Sequence, residues 1–87
     1  MTRYFFHLYR ADTFIQDFEG EEFASLDRAK KEAVEAAREL VATAVRMGQP
    51  INGDRIEICD AADQRHDVVR LADLLPPRRI STFDGNI

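Results

Sequence analysis

The sequence predicts a small two-layer α+β domain of order β-β-α-β-β, in which one long helix packs on a short antiparallel sheet. Three observations predict it: an aromatic strand at Arg3–Tyr9, apolar positions at helical spacing over residues 25–47, and strict alternation over Arg55–Asp60. With 87 residues the chain has little room for a second core. We expect a single domain over residues 1–75 and a polar C-terminal tail over residues 76–87.

The first strand is predicted to carry bulky side chains on both of its faces. Successive side chains alternate across a strand, so the residues divide into two sets: Tyr4, Phe6 and Leu8 on one face, and Phe5, His7 and Tyr9 on the other. Such a strand is expected to be central, with some cover on each side.

A short turn after the first strand leads to a return strand at Thr13–Asp17. Gly20 then bends the approach segment Phe18–Ala24 toward the helix.

The helix has clear start and stop signals. Ser25 is a good N-cap, while Gly48 and Pro50 end the helix after about 22 residues, or roughly 33 Å. The predicted core stripe is rich in alanine, which lets a helix lie close to a sheet; it consists of Leu26, Ala29, Ala33, Ala37, Leu40, Val41, Ala44, Val45 and Met47.

A second hairpin is expected after the helix. Within Arg55–Asp60, Ile56 and Ile58 point inward, while the intervening residues point outward. Residues 61–64 turn the chain, and His66–Leu71 returns as the last strand. The Pro76-Pro77 pair then ends regular structure, because proline cannot donate to a strand ladder.

Composition limits the classes of function. The chain has 12 basic and 16 acidic residues and a net charge of −4, which disfavours non-specific binding to nucleic acid. The lone Cys59 allows no intramolecular disulfide, and residues 1–7 lack the features of a signal peptide. No apolar run is long enough to cross a bilayer. We therefore expect a cytoplasmic protein without membrane contact.

Cys59 and His66 are the best candidates for a catalytic pair. A two-residue turn at Ala62-Asp63 would place them opposite each other, about 5 Å apart, where an imidazole can activate a thiol. A register slip of one residue would separate them. The ordinary explanation, a half-buried thiol beside a surface histidine, is favoured, so we assign no catalytic residue and expect no enzyme.

Metal and cofactor sites are considered and not assigned. His7, Cys59 and His66, with Asp60, would form a zinc site only if their strands were adjacent, and their spacing does not force them together. The acidic stretch around Gly20 does not match a calcium loop; it contains Asp17, Glu19, Glu21 and Glu22. No glycine-rich phosphate loop is present, and Ser25 is explained by its capping role. We expect no metal and no cofactor.

The second face of the first strand is the predicted partner-binding surface. Phe5, His7 and Tyr9 lie there, and one helix can cover only the opposite face. An uncovered apolar surface on a small domain indicates a partner, and symmetric dimers are the commonest oligomers. We therefore expect a non-enzymatic binding or regulatory module that forms a homodimer or binds another protein. The alternative is a nucleic-acid-associated regulator that stacks bases on these aromatic rings.

The chain also resembles a known family. It opens with Arg3-Tyr4-Phe5-Phe6-His7, passes through the acidic segment Asp17–Phe23 into an alanine-rich helix, and returns with Arg55-Ile56-Glu57-Ile58. In this combination it resembles, over about residues 3–72, a family of short bacterial proteins known only as a domain of unknown function, which typically open R-Y-F-F-H. It departs from them at Gln64–Asp67, where the last turn is longer. The resemblance implies a bacterial, cytoplasmic, single-domain protein and no catalytic residues.

Overall fold

The computed structural model describes residues 1–75, which form one helix packed on a five-stranded antiparallel sheet. The elements in chain order are β1 (Thr2–Arg10), β2 (Thr13–Ile15), β3 (Glu21–Phe23), α1 (Leu26–Met47), β4 (Arg55–Cys59), β5 (Arg65–Arg70) and a short 3₁₀ helix (Leu71–Leu74). This arrangement confirms the predicted α+β class with one long helix. The predicted tail over residues 76–87, including Pro76-Pro77, lies outside the described residues.

β1 is the centre of the sheet, as its sequence predicts. The strand order is β2-β1-β4-β5, and β3 pairs with β1 beside β2. Along one edge of β1, β3 pairs with Thr2–Tyr4 and β2 pairs with Leu8–Arg10. Along the other edge, β4 pairs with Phe5–Tyr9. Within residues 1–75, the middle of β1, at Phe5–His7, therefore has no strand neighbour on its β2/β3 side.

β3 is a strand that the sequence did not predict, since Phe18–Ala24 was interpreted as an approach segment. Glutamate is depleted in strands, so Glu21 and Glu22 give no strand signal. Pairing with β1 forms this strand: Glu22 lies opposite Arg3, and their side chains are joined at 3.3 Å. β2 is also shorter than predicted, because the chain leaves the sheet edge after Ile15.

The helix begins and ends where its capping residues predict. Ser25 Oγ accepts a hydrogen bond from the Arg28 N–H at 3.2 Å, and Gly48 ends the helix at φ 68°. Its alanine stripe packs on the sheet almost without exposure; Ala29, Ala33, Ala37, Val41 and Ala44 are buried. The prediction that Val45 and Met47 face the core is wrong, since both are about two-thirds exposed. The helix of roughly 33 Å is about twice as long as a five-residue strand.

The structure gives the register of the last hairpin, which the sequence left open. β5 begins at Arg65 and ends at Arg70, and a bulge lies between Ile58 and Cys59. Ile58 is therefore opposite Asp67 and Cys59 is opposite Arg65, which leaves His66 without a direct partner. The pairing of Cys59 with His66 that a two-residue turn at Ala62-Asp63 would give is not formed, because the extra residue of the bulge separates them.

None of the described helices combines the length and apolar character that crossing a membrane requires.

Candidate functional site

The face of the sheet opposite the helix is formed mainly by aromatic side chains. Phe5, His7 and Tyr9 lie on it, because Tyr4, Phe6 and Leu8 of the same strand pack toward the helix core. Phe14 joins them because it is the direct partner of Tyr9, with ring centroids 4.6 Å apart. Phe18 lines a cavity together with Phe5 and His7. We call the surface formed by Phe5, His7, Tyr9, Phe14 and Phe18 the aromatic face.

Residues 16–20 cross part of the aromatic face, held by the side chain of Asp17. The Phe6 N–H, from the unpaired part of β1, donates to Asp17 Oδ2 at 3.0 Å. The N–H groups of Glu19 and Gly20 donate to Asp17 Oδ1 at 3.2 and 3.1 Å. Burial alone would raise the pKa of Asp17, but these backbone N–H groups lower it below its usual value. One carboxylate thus takes the place of a missing strand neighbour.

The predicted partner-binding residues differ in exposure. His7 is only 6% exposed, because it lies beneath the crossing segment, and Asp17 N–H donates to its Nδ1 at 3.1 Å. Phe5 and Tyr9 are half-buried. The most exposed rings belong to Phe14 (49%) and Phe18 (80%). Sequence alternation did not assign these two to this face. A two-residue turn at Ala11-Asp12 would have placed Phe14 opposite Tyr9 and therefore on this face. No pattern in the sequence places Phe18 there.

Charged groups flank the aromatic rings, and two arginines share one buried carboxylate. Glu57 is 8% exposed, and its Oε2 accepts from Arg55 Nε at 3.0 Å and from the Arg65 guanidinium at 3.3 Å. The Arg55 guanidinium also lies 4.1 Å above the Tyr9 ring centroid, in a cation–π contact. The sequence predicted that Glu57 points away from the helix, and the structure confirms this orientation. Neighbouring side chains of the aromatic face nevertheless bury it.

A polar cavity of about 290 Å³ opens beside these residues. His7, Cys59 and Asp63 line it together, and their ligand atoms lie within 4.8 Å of one another. Cys59 is only 4% exposed, and burial, followed by the charges of Asp63 and Glu57, raises the pKa of its thiol. The thiol is therefore protonated at neutral pH, which is the opposite of what an activated nucleophile requires.

The catalytic pair considered from the sequence is not assembled. His66 packs edge-on against Tyr4, with centroids 5.8 Å apart, and its Nε2 lies 2.8 Å from Asp60 Oδ2. Tyr4 belongs to the helix side of the sheet, while Cys59 lies on the aromatic face opposite Phe5. The hydrogen bond from His66, followed by those from Gln64 and Ala62, lowers the pKa of Asp60. The four-residue zinc set is thus divided between two locations.

The acidic stretch around Gly20 is used for local structure. Asp17 accepts the backbone N–H groups described above, and Glu22 pairs with Arg3. Gly20 has φ 65°, and a Cβ there would lie 2.8 Å from both the Phe5 ring and the Tyr4 carbonyl oxygen. Position 20 therefore needs a glycine because the backbone passes close to the Phe5 ring. This contact explains the glycine better than a cation-binding loop does.

Comparison with known proteins gives a family and no function. No curated protein and no solved structure matches the chain. Residues 3–72 match the family described as a domain of unknown function (DUF6894). This range agrees with the extent of the resemblance noted in the sequence, and it includes β1, the helix and both strands of the last hairpin. The chain belongs to the DUF6894 family.

Proposed function

We propose that the protein is a non-enzymatic binding or regulatory module that acts through protein–protein contacts of its aromatic face, and that its partner is a second copy of itself. One observation carries the proposal: Phe14 and Phe18 are exposed on a sheet face that the helix does not cover. Aromatic side chains are enriched in interface cores, and exposed apolar patches on small domains mark interaction sites.

The charges around the aromatic face favour a second copy as the partner. At one end of the face, the exposed carboxylate of Asp63 lies beside Phe18 along one cavity. At the other end, the exposed Arg70 lies directly opposite Arg55, which itself pairs with Glu57. Two copies can meet face to face about a two-fold axis that lies in the plane between them. If that axis is perpendicular to the line joining the two ends, the acidic end of each copy lies over the basic end of the other. A symmetric interface requires this kind of self-complementarity.

The chemistry of the polar side chains supports a binding role over a catalytic one. The Cys59 thiol has a raised pKa, and His66 is engaged by Asp60 on the other side of the sheet. Ser25 is occupied as the helix cap. The acidic composition and lone cysteine favour the cytoplasm, and the R-Y-F-F-H opening favours a bacterial source.

A nucleic-acid-associated regulator is the alternative. The exposed rings of Phe14 and Phe18 offer stacking surfaces for bases. The guanidinium groups of Arg55 and Arg65, however, both bind Glu57, and the net charge is −4. If nucleic acid were the ligand, mixed DNA and RNA oligonucleotides would bind with a steep salt dependence. An absence of binding at low salt would remove this alternative.

Sedimentation equilibrium with a matched pair of variants tests the proposal. Phe18→Ser removes an exposed ring from the aromatic face, while Met47→Ser removes an exposed apolar side chain from the end of the helix. We expect the wild type and Met47→Ser to dimerise at tens of micromolar, and Phe18→Ser to dimerise about tenfold or more weakly. A monomeric wild type, or equal weakening by the two substitutions, would contradict the proposal.

A further inference from the structure

Three side chains of different ligand chemistry meet in the polar cavity of the aromatic face. His7 lies on β1, Cys59 lies at the end of β4, and Asp63 lies in the turn that follows. In the β1–β4 register His7 is opposite Glu57 and Cys59 is opposite Phe5, so His7 and Cys59 are diagonal neighbours on one face. Two adjacent strands therefore position the imidazole and the thiol before any ligand arrives.

His7 Nε2 and the Cys59 sulfur are buried polar atoms that have no hydrogen-bond partner among residues 1–75. The His7 side chain is 7% exposed, and its Nε2 faces Asp63 Oδ1 across 3.7 Å, which is longer than a hydrogen bond. Cys59 is 4% exposed, and no described group hydrogen-bonds to its sulfur. Buried polar atoms are almost always satisfied in native proteins. Both atoms border the same cavity, so a single ligand could satisfy them together.

The turn that carries Asp63 is held in an unusual conformation. Asp63 has φ 63°, in the left-handed region that few residues other than glycine adopt. Its N–H donates to the Asp60 carbonyl at 2.9 Å, while Asp60 Oδ1 accepts from the N–H groups of Ala62 and Gln64. The side chain of Asp63 is 84% exposed and reaches the mouth of the cavity. It is therefore the solvent-facing member of the three.

We infer that His7, Cys59 and Asp63 form a binding site for a divalent transition metal, with Zn²⁺ as the ion that best suits the ligands. Imidazole nitrogen, thiolate sulfur and carboxylate oxygen are all zinc ligands, and three protein ligands leave a fourth tetrahedral position for water. Neighbouring ligand atoms around tetrahedral zinc are roughly 3.5 Å apart. The three ligand atoms already lie within 4.8 Å of one another, and His7 Nε2 and Asp63 Oδ1 are 3.7 Å apart, so small side-chain movements would bring them to this spacing.

Metal binding rearranges the protons in a defined way. The Cys59 thiol releases its proton as the sulfur–metal bond forms, so each ion bound releases one proton. In the metal-free protein the Asp17 N–H donates to His7 Nδ1, which places the ring proton on Nε2. When Nε2 binds the metal, the ring proton moves to Nδ1, where it would face the Asp17 N–H, so this contact opens. The Asp17 N–H then loses its acceptor, so the Asp17 amide reports occupancy of the site.

Titration of the metal-free full chain with Co²⁺ tests the inference. We expect a thiolate-to-cobalt charge-transfer band that saturates at one ion per chain and disappears when Zn²⁺ is added. Zn²⁺ is also expected to shift the amide resonance of Asp17 in nitrogen–proton spectra. The absence of a charge-transfer band at stoichiometric Co²⁺ would overturn the inference.

Variants separate the site from non-specific binding. Cys59→Ser should abolish the band, and Asp63→Asn should weaken Co²⁺ binding about tenfold or more. Asparagine tolerates the left-handed conformation, so Asp63→Asn leaves the fold intact, which its unfolding temperature without metal verifies. Asp12→Asn is the matched control, because Asp12 is an exposed carboxylate in the first hairpin turn. Equal affinity of Asp63→Asn and Asp12→Asn for Co²⁺ would contradict the proposed ligand set.

Discussion

The two faces of the sheet are built differently. On the helix face, alanines of α1 lie against Ile56, Ile58 and Val69, and the contact is almost entirely apolar. On the aromatic face, rings alternate with ionisable groups, and within residues 1–75 the covering segment is residues 16–20, which one carboxylate and one glycine hold in place. Close apolar packing stabilises a fold and tolerates little change. The helix face is thus the closely packed face, and we propose that the aromatic face is the one that binds a partner.

The largest expected difference between the faces is in the cost of truncation. Ile58 is 0% exposed under the helix, and Ile58→Ala should destabilise the protein by about 2–5 kcal/mol, because it leaves a cavity. Phe14→Ala on the aromatic face should cost about 1 kcal/mol, since half of that ring is already in solvent. Urea unfolding of both variants measures these costs. Similar losses would mean that the two faces contribute equally to stability.

The next prediction concerns the segment that covers the aromatic face. Gly20 and Gly48 both have positive φ, but only at Gly20 would a Cβ collide with Phe5 and the Tyr4 carbonyl. Gly48→Ala should cost about 1 kcal/mol for the conformation alone. Gly20→Ala should cost about 1–2 kcal/mol more, because the backbone must also move. Thermal unfolding of the two variants measures both costs, and their difference is the cost of the close contact between Gly20 and Phe5. Equal costs would show that the segment does not pass over Phe5.

Asp17 should make stability depend on pH in a specific window. Its pKa is lowered from 3.8 in the folded state, so its contribution is present above that value and is lost as the pH falls through the lower, folded pKa. Asp17→Asn should therefore cost about 1 kcal/mol at pH 7 and progressively less below pH about 4. The difference in unfolding free energy between wild type and variant, measured from pH 7 to pH 3, gives the effect. A constant difference would contradict the role of the ionised carboxylate.

The smallest expected effect is on the helix face. Lys30 pairs with Asp67 at 3.0 Å and joins α1 to β5, and this pairing, followed by the Val68 N–H, lowers the pKa of Asp67. Because Lys30 is half exposed, Lys30→Ala should cost about 0.5 kcal/mol or less, and high salt should remove the difference. Lys31→Ala is the neighbouring control. A larger loss would show that ion pairing, as well as packing, holds the helix.

The sequence predicts the helix face better than the aromatic face, for physical reasons. The bounds of α1 follow from Ser25 and Gly48, whose capping roles are local. The division of β1 into two faces follows from alternation alone. β3 could not be predicted, because Glu21 and Glu22 form a strand only through pairing with β1. Residues 21–23 form a strand because they pair with β1, and not because of their own strand propensity.

The residues of the polar cavity depend on a detail that no local pattern reveals. The bulge between Ile58 and Cys59 separates Cys59 from His66, while Asp63 of the following turn lies near His7 and Cys59. A shift of one residue exchanges the faces of a strand, so an unseen bulge changes which side chains meet. The sequence identified His7 and Cys59 as candidate ligands, but the third member required the structure of the turn.

Nitrogen–proton spectra recorded over a dilution series test most directly whether the aromatic face is the contact surface. We expect concentration-dependent shifts of the amide resonances of Phe5, Tyr9, Phe14 and Phe18, while those on the exposed side of α1 stay unchanged. Shifts confined to α1, or spectra that do not change from micromolar to millimolar protein, would contradict this expectation.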